Sequence, residues 1–233
     1  MNGPEDDFLV IDGHRPVVFI CFGGRGENFA WKNRTELLGV HALHLKDSRN
    51  RWYLDGADGD SSFDETILRC RAYLETHAGK TAIVMGQSFG GYAALRAALY
   101  LSGTYALAFA PQTHFNAIRE VFPVQRNFLP PEDAVDIRPL LNRSANRFSI
   151  LVSRSESQNP PEGYFWDDYA HLEGLSNPNI DIEVFDYDLH PVAWCLAKDG
   201  LLSDVLEQHI ARSYDPALQV TAAPVMPRPG VEE

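Results

Sequence analysis

Short apolar runs alternate along the chain with polar or glycine-rich stretches. Each run is about six residues long and rich in β-branched residues, which is typical of strands rather than helices. The runs predict strands at 8–11, 17–22, 40–45, 81–85, 105–110, 148–153 and 180–185. The second run is apolar throughout, which indicates a central strand covered on both faces. The last run alternates apolar and charged residues, as an edge strand does.

Helical periodicity fills the segments between these strands. Within 61–78, apolar residues recur at spacings of three and four, which predicts a helix with one buried face. Further helices are predicted at 28–38, 91–100, 166–175 and 192–213, the last interrupted near Gly200. Strands that alternate with helices favour a mostly parallel sheet covered on both faces. Asp12-Gly13, between the first two strands, favours a tight hairpin.

Length and proline distribution predict the domain organisation. A chain of 233 residues fits one α/β domain, which we place at 1–213. Prolines interrupt the pattern within 112–147, so we expect a small cap or an irregular insertion above the sheet there. Four prolines and little periodicity in 214–233 predict a flexible tail.

Charge and cysteine usage narrow the range of partners. The net charge of −12 disfavours a nucleic acid or an anionic membrane surface as partner, because either would repel the protein. No apolar run is long enough to span a bilayer, and the acidic first seven residues do not resemble a secretory signal. Three cysteines lie far apart in apolar or helical stretches, which favours buried free thiols and a cytoplasmic setting.

The sequence predicts neither a metal site nor a cofactor. The glycine cluster at 23–26 lacks the Gly-Lys-Ser/Thr ending of a phosphate-binding loop. Phe29 stands where the dinucleotide fingerprint requires a glycine or alanine. His41 and His44 are three residues apart on a predicted strand, so they face opposite sides and cannot share a metal ion.

The strongest chemical signal is Gly86-Gln87-Ser88-Phe89-Gly90, which lies between a predicted strand and a predicted helix. Gly-x-Ser-x-Gly in that context indicates a nucleophile elbow, a tight turn that projects the serine hydroxyl clear of the sheet. Glycine is expected at 86 and 90 because a Cβ there would hit the adjacent strand or helix. The alternative interpretation is an ordinary Gly-Ser turn, since the pattern also occurs by chance.

Two backbone N–H groups are candidates for an oxyanion hole. Phe89 stands at the start of the helix, where N–H groups lack intrahelical partners. Gly24 lies in the loop after the second predicted strand, which supplies the other donor in serine hydrolase sheets. The alternative for that loop is a plain flexible turn. Four further residues are candidates for a pocket near Ser88: Gln87, Arg25, Trp52 and Tyr53, of which the last two could instead simply close their loop.

A serine needs a base to take its proton and an acid to hold that base. His190 follows the last predicted strand, in the place where elbow hydrolases carry their histidine, whereas His209 is expected on the surface of the final helix. Glu156, just past the preceding strand, is our candidate acid. Asp167 and Asp168 are alternatives on the same connection, although aspartates at a helix start are common caps.

With Gly86-x-Ser88-x-Gly90, the Gly23–Gly26 loop, Glu156 and His190, the chain resembles the α/β-hydrolase superfamily over roughly 17–209. The resemblance implies a three-layer α/β-hydrolase fold and a serine hydrolase that cleaves a small-molecule or glycan-linked ester or thioester. One departure is Phe22-Gly23-Gly24, where a His-Gly pair often precedes the oxyanion loop. The order Ser–Glu–His also resembles bacterial enzymes that transfer acetyl groups to sugars. The alternatives are therefore an acyltransferase with the same residues and a non-catalytic binding protein of this fold.

Overall fold

The computed structural model describes residues 8–24, 29–58, 60–113, 135–154, 168–187 and 189–214. The described residues form a seven-stranded sheet in the order β1-β3-β2-β4-β5-β6-β7. Its strands are β1 Phe8–Ile11, β2 Val17–Phe22, β3 His41–Leu45, β4 Thr81–Gln87, β5 Thr104–Phe109, β6 Arg147–Ser153 and β7 Ile180–Phe185. Neighbouring strands are parallel except β1 and β3, so the mostly parallel sheet that the alternating pattern predicts is confirmed.

Helices cover both faces of this sheet. They are α1 Lys32–Leu38, α2 Phe63–Glu75, α3 Phe89–Tyr100, α4 Arg138–Leu141, α5 Val192–Lys198 and α6 Leu202–Ser213, together with a 3-10 helix at Asp168–Leu172. One core cluster joins α2 and α3 to one face of the sheet, and a second joins α1, α5 and α6 to the other. The fold therefore has three layers, helix–sheet–helix.

Strand β2, in the interior of the sheet, shows why both layers are needed. All six of its residues are buried, as the unbroken apolar run predicts. Ile20 and Phe22 join the first cluster, whereas Phe19 and Cys21 join the second, because successive side chains of a strand point to opposite faces. By contrast β7, at the edge of the sheet, is mostly half-buried, in keeping with its alternating pattern.

The predicted hairpin between the first two strands is wrong. β1 pairs antiparallel with β3, with Ile11 opposite Ala42, and β3 separates it from β2. The connecting loop crosses the start of β3 instead of turning back on itself. It packs so closely there that a Cβ on Gly13 would lie 2.2 Å from the carbonyl carbon of Val40. The glycine in Asp12-Gly13 thus serves a backbone crossing, not a two-residue turn.

The C-terminal helical region breaks at Gly200, as predicted, since α5 and α6 flank that residue and its φ is 78°. His209 is buried, contrary to the surface position expected for it, and its Nδ1 lies 2.7 Å from the hydroxyl oxygen of Tyr105. The cysteines are free and buried, as predicted. Within the described part of the chain, none of the helices combines the length and apolarity needed to cross a membrane.

Only part of the expected insertion falls in the described residues. Its second half contains the short helix α4, whereas 114–134 lie outside them. Most of the expected tail, 215–233, also lies outside. The domain limits, the cap and the tail stay predictions.

Candidate active site

Ser88 occupies the single residue between β4 and α3. Its backbone angles, φ 56° and ψ −124°, lie in a region that residues with a side chain rarely adopt. The turn is held by neighbours, since the Ser88 N–H donates to the Phe109 carbonyl at 2.8 Å and the Ser88 carbonyl accepts from the Tyr92 N–H at 3.0 Å. The local structure is thus the strained strand-to-helix turn that the Gly-x-Ser-x-Gly pattern predicts.

The two glycines of the pattern allow three backbones to meet. An ideal Cβ on Gly86 would lie 2.2 Å from the Gly90 carbonyl oxygen, and one on Gly90 would lie 2.4 Å from the Gly23 carbonyl oxygen. Neither separation is compatible with a side chain. The missing side chains therefore bring the start of α3 against β4 on one side and against the loop after β2 on the other.

A continuous hydrogen-bonded series joins three polar side chains at the carboxyl edge of the sheet. His190 Nε2 lies 2.8 Å from Ser88 Oγ, and His190 Nδ1 lies 2.7 Å from Asp168 Oδ1. The carboxylate side chain is 1% exposed and the imidazole 12% exposed. A buried carboxylate at Nδ1 holds the proton on that nitrogen, which leaves the Nε2 lone pair directed at the serine hydroxyl.

His190 is positioned by the end of β7 and the start of α5. Its carbonyl accepts the Val192 N–H at 2.7 Å, which fixes a tight turn around Pro191. The side chain of Gln87, directly before Ser88, accepts the Ala193 N–H through Oε1 at 3.1 Å. The strand that presents the serine is thereby tied to the helix that follows the histidine.

Asp168 begins the 3-10 helix on the connection between β6 and β7. It is the candidate acid that falls within the described residues, and its carboxylate contacts His190. Glu156, the first choice from sequence, and Asp167 both lie outside the described residues. In the proposed mechanism, Asp168 and not Glu156 is therefore the acid that orients His190.

The candidate oxyanion donors, Phe89 and Gly24, both lie next to the elbow. Phe89 is the first residue of α3, so its N–H belongs to the first turn, where N–H groups have no partner within the helix. Gly24 lies beside the elbow, where a Cβ on it would be 3.7 Å from the Gln87 carbonyl oxygen. The preceding Gly23 is bonded to the sheet through its N–H, which donates to the Leu45 carbonyl at 2.9 Å.

The four candidate pocket residues have different surroundings. Tyr53 is fully buried, and its hydroxyl donates to the backbone carbonyls of Gly23 and Leu45. Trp52 is also buried, with its ring 5.9 Å from the ring of Phe89 between centroids. Gln87 is half-buried and links the elbow to α5. Arg25 lies outside the described residues.

A group of potential metal-ligating side chains lies at the opposite edge of the sheet. Atoms of Asp12, His41 and His77 come within 4.8 Å of one another. The lone pair on His41 Nδ1 already accepts the Gly13 N–H at 3.2 Å. In the neutral ring that contact leaves the proton on Nε2, so His41 does not offer a free donor atom to a metal ion. This group has no part in the site around Ser88.

No protein-family model and no curated protein sequence matches the chain. Solved structures do match it by fold. An esterase of Pyrococcus furiosus is 14% identical, with a TM-score of 0.58 and coverage of 87% of this chain and 84% of the other. A monoacylglycerol lipase of Paleococcus ferrophilus is 15% identical, with a TM-score of 0.58 and coverage of 88% and 98%. The capsule O-acetyltransferase of Neisseria meningitidis serogroup A is 12% identical, with a TM-score of 0.58 and coverage of 88% and 90%.

These similarities, with the strand order and the covered sheet, show that the chain has the α/β-hydrolase fold, as the sequence predicts. Two features of the site were not visible in the sequence. One is the contact of Asp168 with His190, because the long connection after β6 does not reveal which of its carboxylates turns back toward the sheet. The other is the link from Gln87 to Ala193, which joins residues far apart in the chain.

Proposed function

We propose that the protein is a serine hydrolase that cleaves a carboxylic ester or thioester through an acyl-enzyme on Ser88. The observation that supports this most directly is the series Ser88 Oγ–His190–Asp168, with separations of 2.8 and 2.7 Å. A nucleophile, a base in contact with it and a buried carboxylate that orients the base are the three parts that acyl transfer requires.

In the acylation step, Ser88 Oγ bonds to the acyl carbon while His190 Nε2 takes the hydroxyl proton. The carbonyl π electrons move to oxygen, and the N–H groups of Phe89 and Gly24 stabilise the negative charge there. Asp168 stays ionised and stabilises the imidazolium. The tetrahedral intermediate then collapses, and His190 gives its proton to the leaving oxygen or sulfur.

Water completes the proposed cycle. It bonds to the acyl carbon as His190 takes one of its protons, and the acid product leaves as that proton returns to Ser88 Oγ. No step of this reaction requires a metal ion or a cofactor. The substrates we propose are small-molecule or glycan-linked acyl compounds. The net charge of −12 supports a protein that binds neither nucleic acid nor anionic membranes. The free, buried cysteines support a cytoplasmic setting.

An acyltransferase is the second candidate, because an alcohol can replace water in the second half of the same cycle. The Neisseria meningitidis capsule O-acetyltransferase shares this fold at a TM-score of 0.58, which supports the candidate. The two activities differ in product. A sugar or alcohol added with the acyl donor should divert acyl groups into a new ester only if the protein is a transferase.

A fluorophosphonate probe tests both enzymatic candidates against a non-catalytic binding protein. We expect covalent labelling of the wild-type protein at Ser88 and none of Ser88→Ala. A panel of short- and long-chain esters and thioesters then identifies the acyl group, with Ser88→Ala as the blank. An unlabelled wild-type protein, or equal labelling of Ser88→Ala, would show that Ser88 is not an activated nucleophile. The non-catalytic binding protein would then be the remaining candidate.

A further inference from the structure

Tyr53 is a buried tyrosine whose hydroxyl lies against the loop after β2. The phenol oxygen is 3.1 Å from the Gly23 carbonyl oxygen and 3.0 Å from the Leu45 carbonyl oxygen, and the residue is fully buried. A tyrosine hydroxyl has one hydrogen, which it donates to these two acceptors. The Leu45 carbonyl also accepts the Gly23 N–H at 2.9 Å. Both polar groups of Gly23 are therefore fixed.

The backbone at Tyr53 and at the residue before it is strained. Trp52 and Tyr53 have φ values of 61° and 57°, in the left-handed region that such bulky residues rarely enter. A hydrogen bond stabilises this conformation. The Tyr53 N–H donates to Oδ2 of Asp47, a fully buried residue, at 2.9 Å. Strain that the surroundings maintain in this way indicates that the position of the tyrosine matters.

The ring of Tyr53 also contacts both sides of the site. It packs edge-on against Phe22, the last residue of β2, with centroids 5.0 Å apart. On the other side its centroid is 6.3 Å from that of Phe89 at the start of α3. Tyr53 thus packs against both segments that carry the candidate oxyanion donors.

The carbonyl of Gly23 and the N–H of Gly24 belong to the same peptide plane. In a trans peptide these two groups point in opposite directions, so a hydrogen bond that fixes the carbonyl also fixes the direction of the N–H. A peptide between two glycines is the kind that flips most readily, because glycine tolerates both signs of φ. An anchor on the Gly23 carbonyl removes that freedom.

We propose that Tyr53 is a positioning residue that holds the Gly23–Gly24 peptide in one orientation and so directs the Gly24 N–H to the oxyanion. This inference rests on the proposed function, because it assumes that Gly24 donates to a developing oxyanion. It assigns to the loop at Asp47–Tyr53 a role in transition-state stabilisation without contact with the substrate.

The test compares Tyr53→Phe with Tyr105→Phe. Tyr105 is the matched control, since it is also buried and its hydroxyl also has two partners, Ser149 Oγ at 2.6 Å and His209 Nδ1 at 2.7 Å, but at the other end of the sheet. We expect Tyr53→Phe to lower kcat by about 10- to 100-fold with KM nearly unchanged, less than the loss of a whole oxyanion donor. We expect Tyr105→Phe to keep the wild-type kcat.

Active sites are counted by fluorophosphonate titration, so that unfolded molecules reduce the number of sites and not kcat per site. The double variant Tyr53→Phe/Gly24→Ala adds a readout that a purely structural role would not move. Gly24 is outside the left-handed region, and a Cβ there has room. Alanine disfavours the flipped peptide, so we expect it to restore part of the lost kcat.

Each outcome separates this inference from the proposed function. Wild-type protein that neither hydrolyses esters nor labels at Ser88 overturns the proposed function. Active wild-type protein with an unchanged kcat in Tyr53→Phe, or an equal loss in Tyr105→Phe, overturns the role of Tyr53 alone. If Tyr53→Phe does not fold, Asp47→Asn takes its place in the test, because loss of the charge weakens the contact to the Tyr53 N–H. A kcat per site equal to that of wild type in Asp47→Asn also overturns the positioning role of Tyr53.

Discussion

Among the residues that the structure describes, a hydroxyl, an imidazole and a carboxylate come together at each of the two ends of the sheet. At the carboxyl end, His190 lies 2.8 Å from Ser88 Oγ and 2.7 Å from Asp168 Oδ1. At the other end, His209 lies 2.7 Å from the Tyr105 hydroxyl and 3.6 Å from Glu183 Oε1. The same three kinds of group therefore do not by themselves define a reactive site.

The surroundings of the two groups account for the difference. The hydroxyl at the carboxyl end belongs to a strained elbow at a helix N-terminus, and the imidazole there is 12% exposed. His209 is only 1% exposed, and burial lowers its pKa to about 4, so it stays neutral near neutral pH. Access, strain and nearby N–H donors turn one group into a candidate active site, whereas the other is a polar contact inside the core.

The largest expected difference in activity is between a variant that lacks the Ser88 hydroxyl and one that lacks the Tyr105 hydroxyl. Ser88→Ala should lower esterase activity by about 10⁶-fold, because the proposed nucleophile itself is lost. Tyr105→Phe should leave activity unchanged, since its hydroxyl only holds the core together. Steady-state ester hydrolysis by purified variants of equal folded content measures both effects. An active Ser88→Ala variant would show that Ser88 is not the nucleophile.

The carboxylates of Asp168 and Glu183 should differ nearly as much in their effect on kcat. Asp168→Asn should lower kcat by about 10³- to 10⁴-fold, because an amide no longer stabilises the imidazolium or holds the correct tautomer. Glu183→Gln should leave kcat unchanged. The same assay applied to Glu156→Gln decides between the candidate acids, and a large loss there with an active Asp168→Asn would restore Glu156.

A third difference concerns acid stability. The pKa of His209 is lowered from 6.5 to about 4 in the folded protein, chiefly by burial. As the pH falls below about 6.5, the unfolded chain takes up a proton that the folded one refuses, so stability declines until the pH reaches about 4. A shift of this size corresponds to a loss of about 3 kcal/mol.

Denaturant unfolding of wild type and His209→Gln at pH 7 and pH 4 measures this loss. Glutamine keeps a polar contact to Tyr105 but does not titrate. The variant should therefore lose about 3 kcal/mol less than wild type between the two pH values. Equal losses would show that His209 titrates normally in the folded state. His44, whose pKa burial also lowers to about 4, contributes equally to both proteins.

The smallest expected effect concerns the link between the elbow and α5. Gln87→Leu removes the acceptor for the Ala193 N–H, which loosens the turn that carries His190. We expect kcat to fall by about tenfold with little change in KM, as when a catalytic group is slightly misplaced. Gln87→Glu, which keeps an acceptor oxygen, is the control and should retain more of the activity.

The parts of the fold that follow from local pattern were predictable from the sequence. The buried run of β2, the elbow between β4 and α3 and the break at Gly200 all depend on residues within a few positions of one another. The pairing of β1 with β3 was not, because Asp12-Gly13 has the composition of a hairpin turn but serves a close crossing over Val40. His209 was misplaced because its partner Tyr105 lies about 100 residues away in the chain, beyond the reach of any local pattern.

The strained backbone of Ser88 would tie the proposed reactivity of this serine to the integrity of the fold. An isolated chain relaxes to ordinary angles, so φ 56° and ψ −124° persist only while β4, α3 and the loop after β2 are docked together. A molecule in which any of these contacts opens presents an ordinary, unactivated hydroxyl. Covalent labelling at Ser88 would therefore report native structure molecule by molecule, and its decay on heating should follow unfolding of the core.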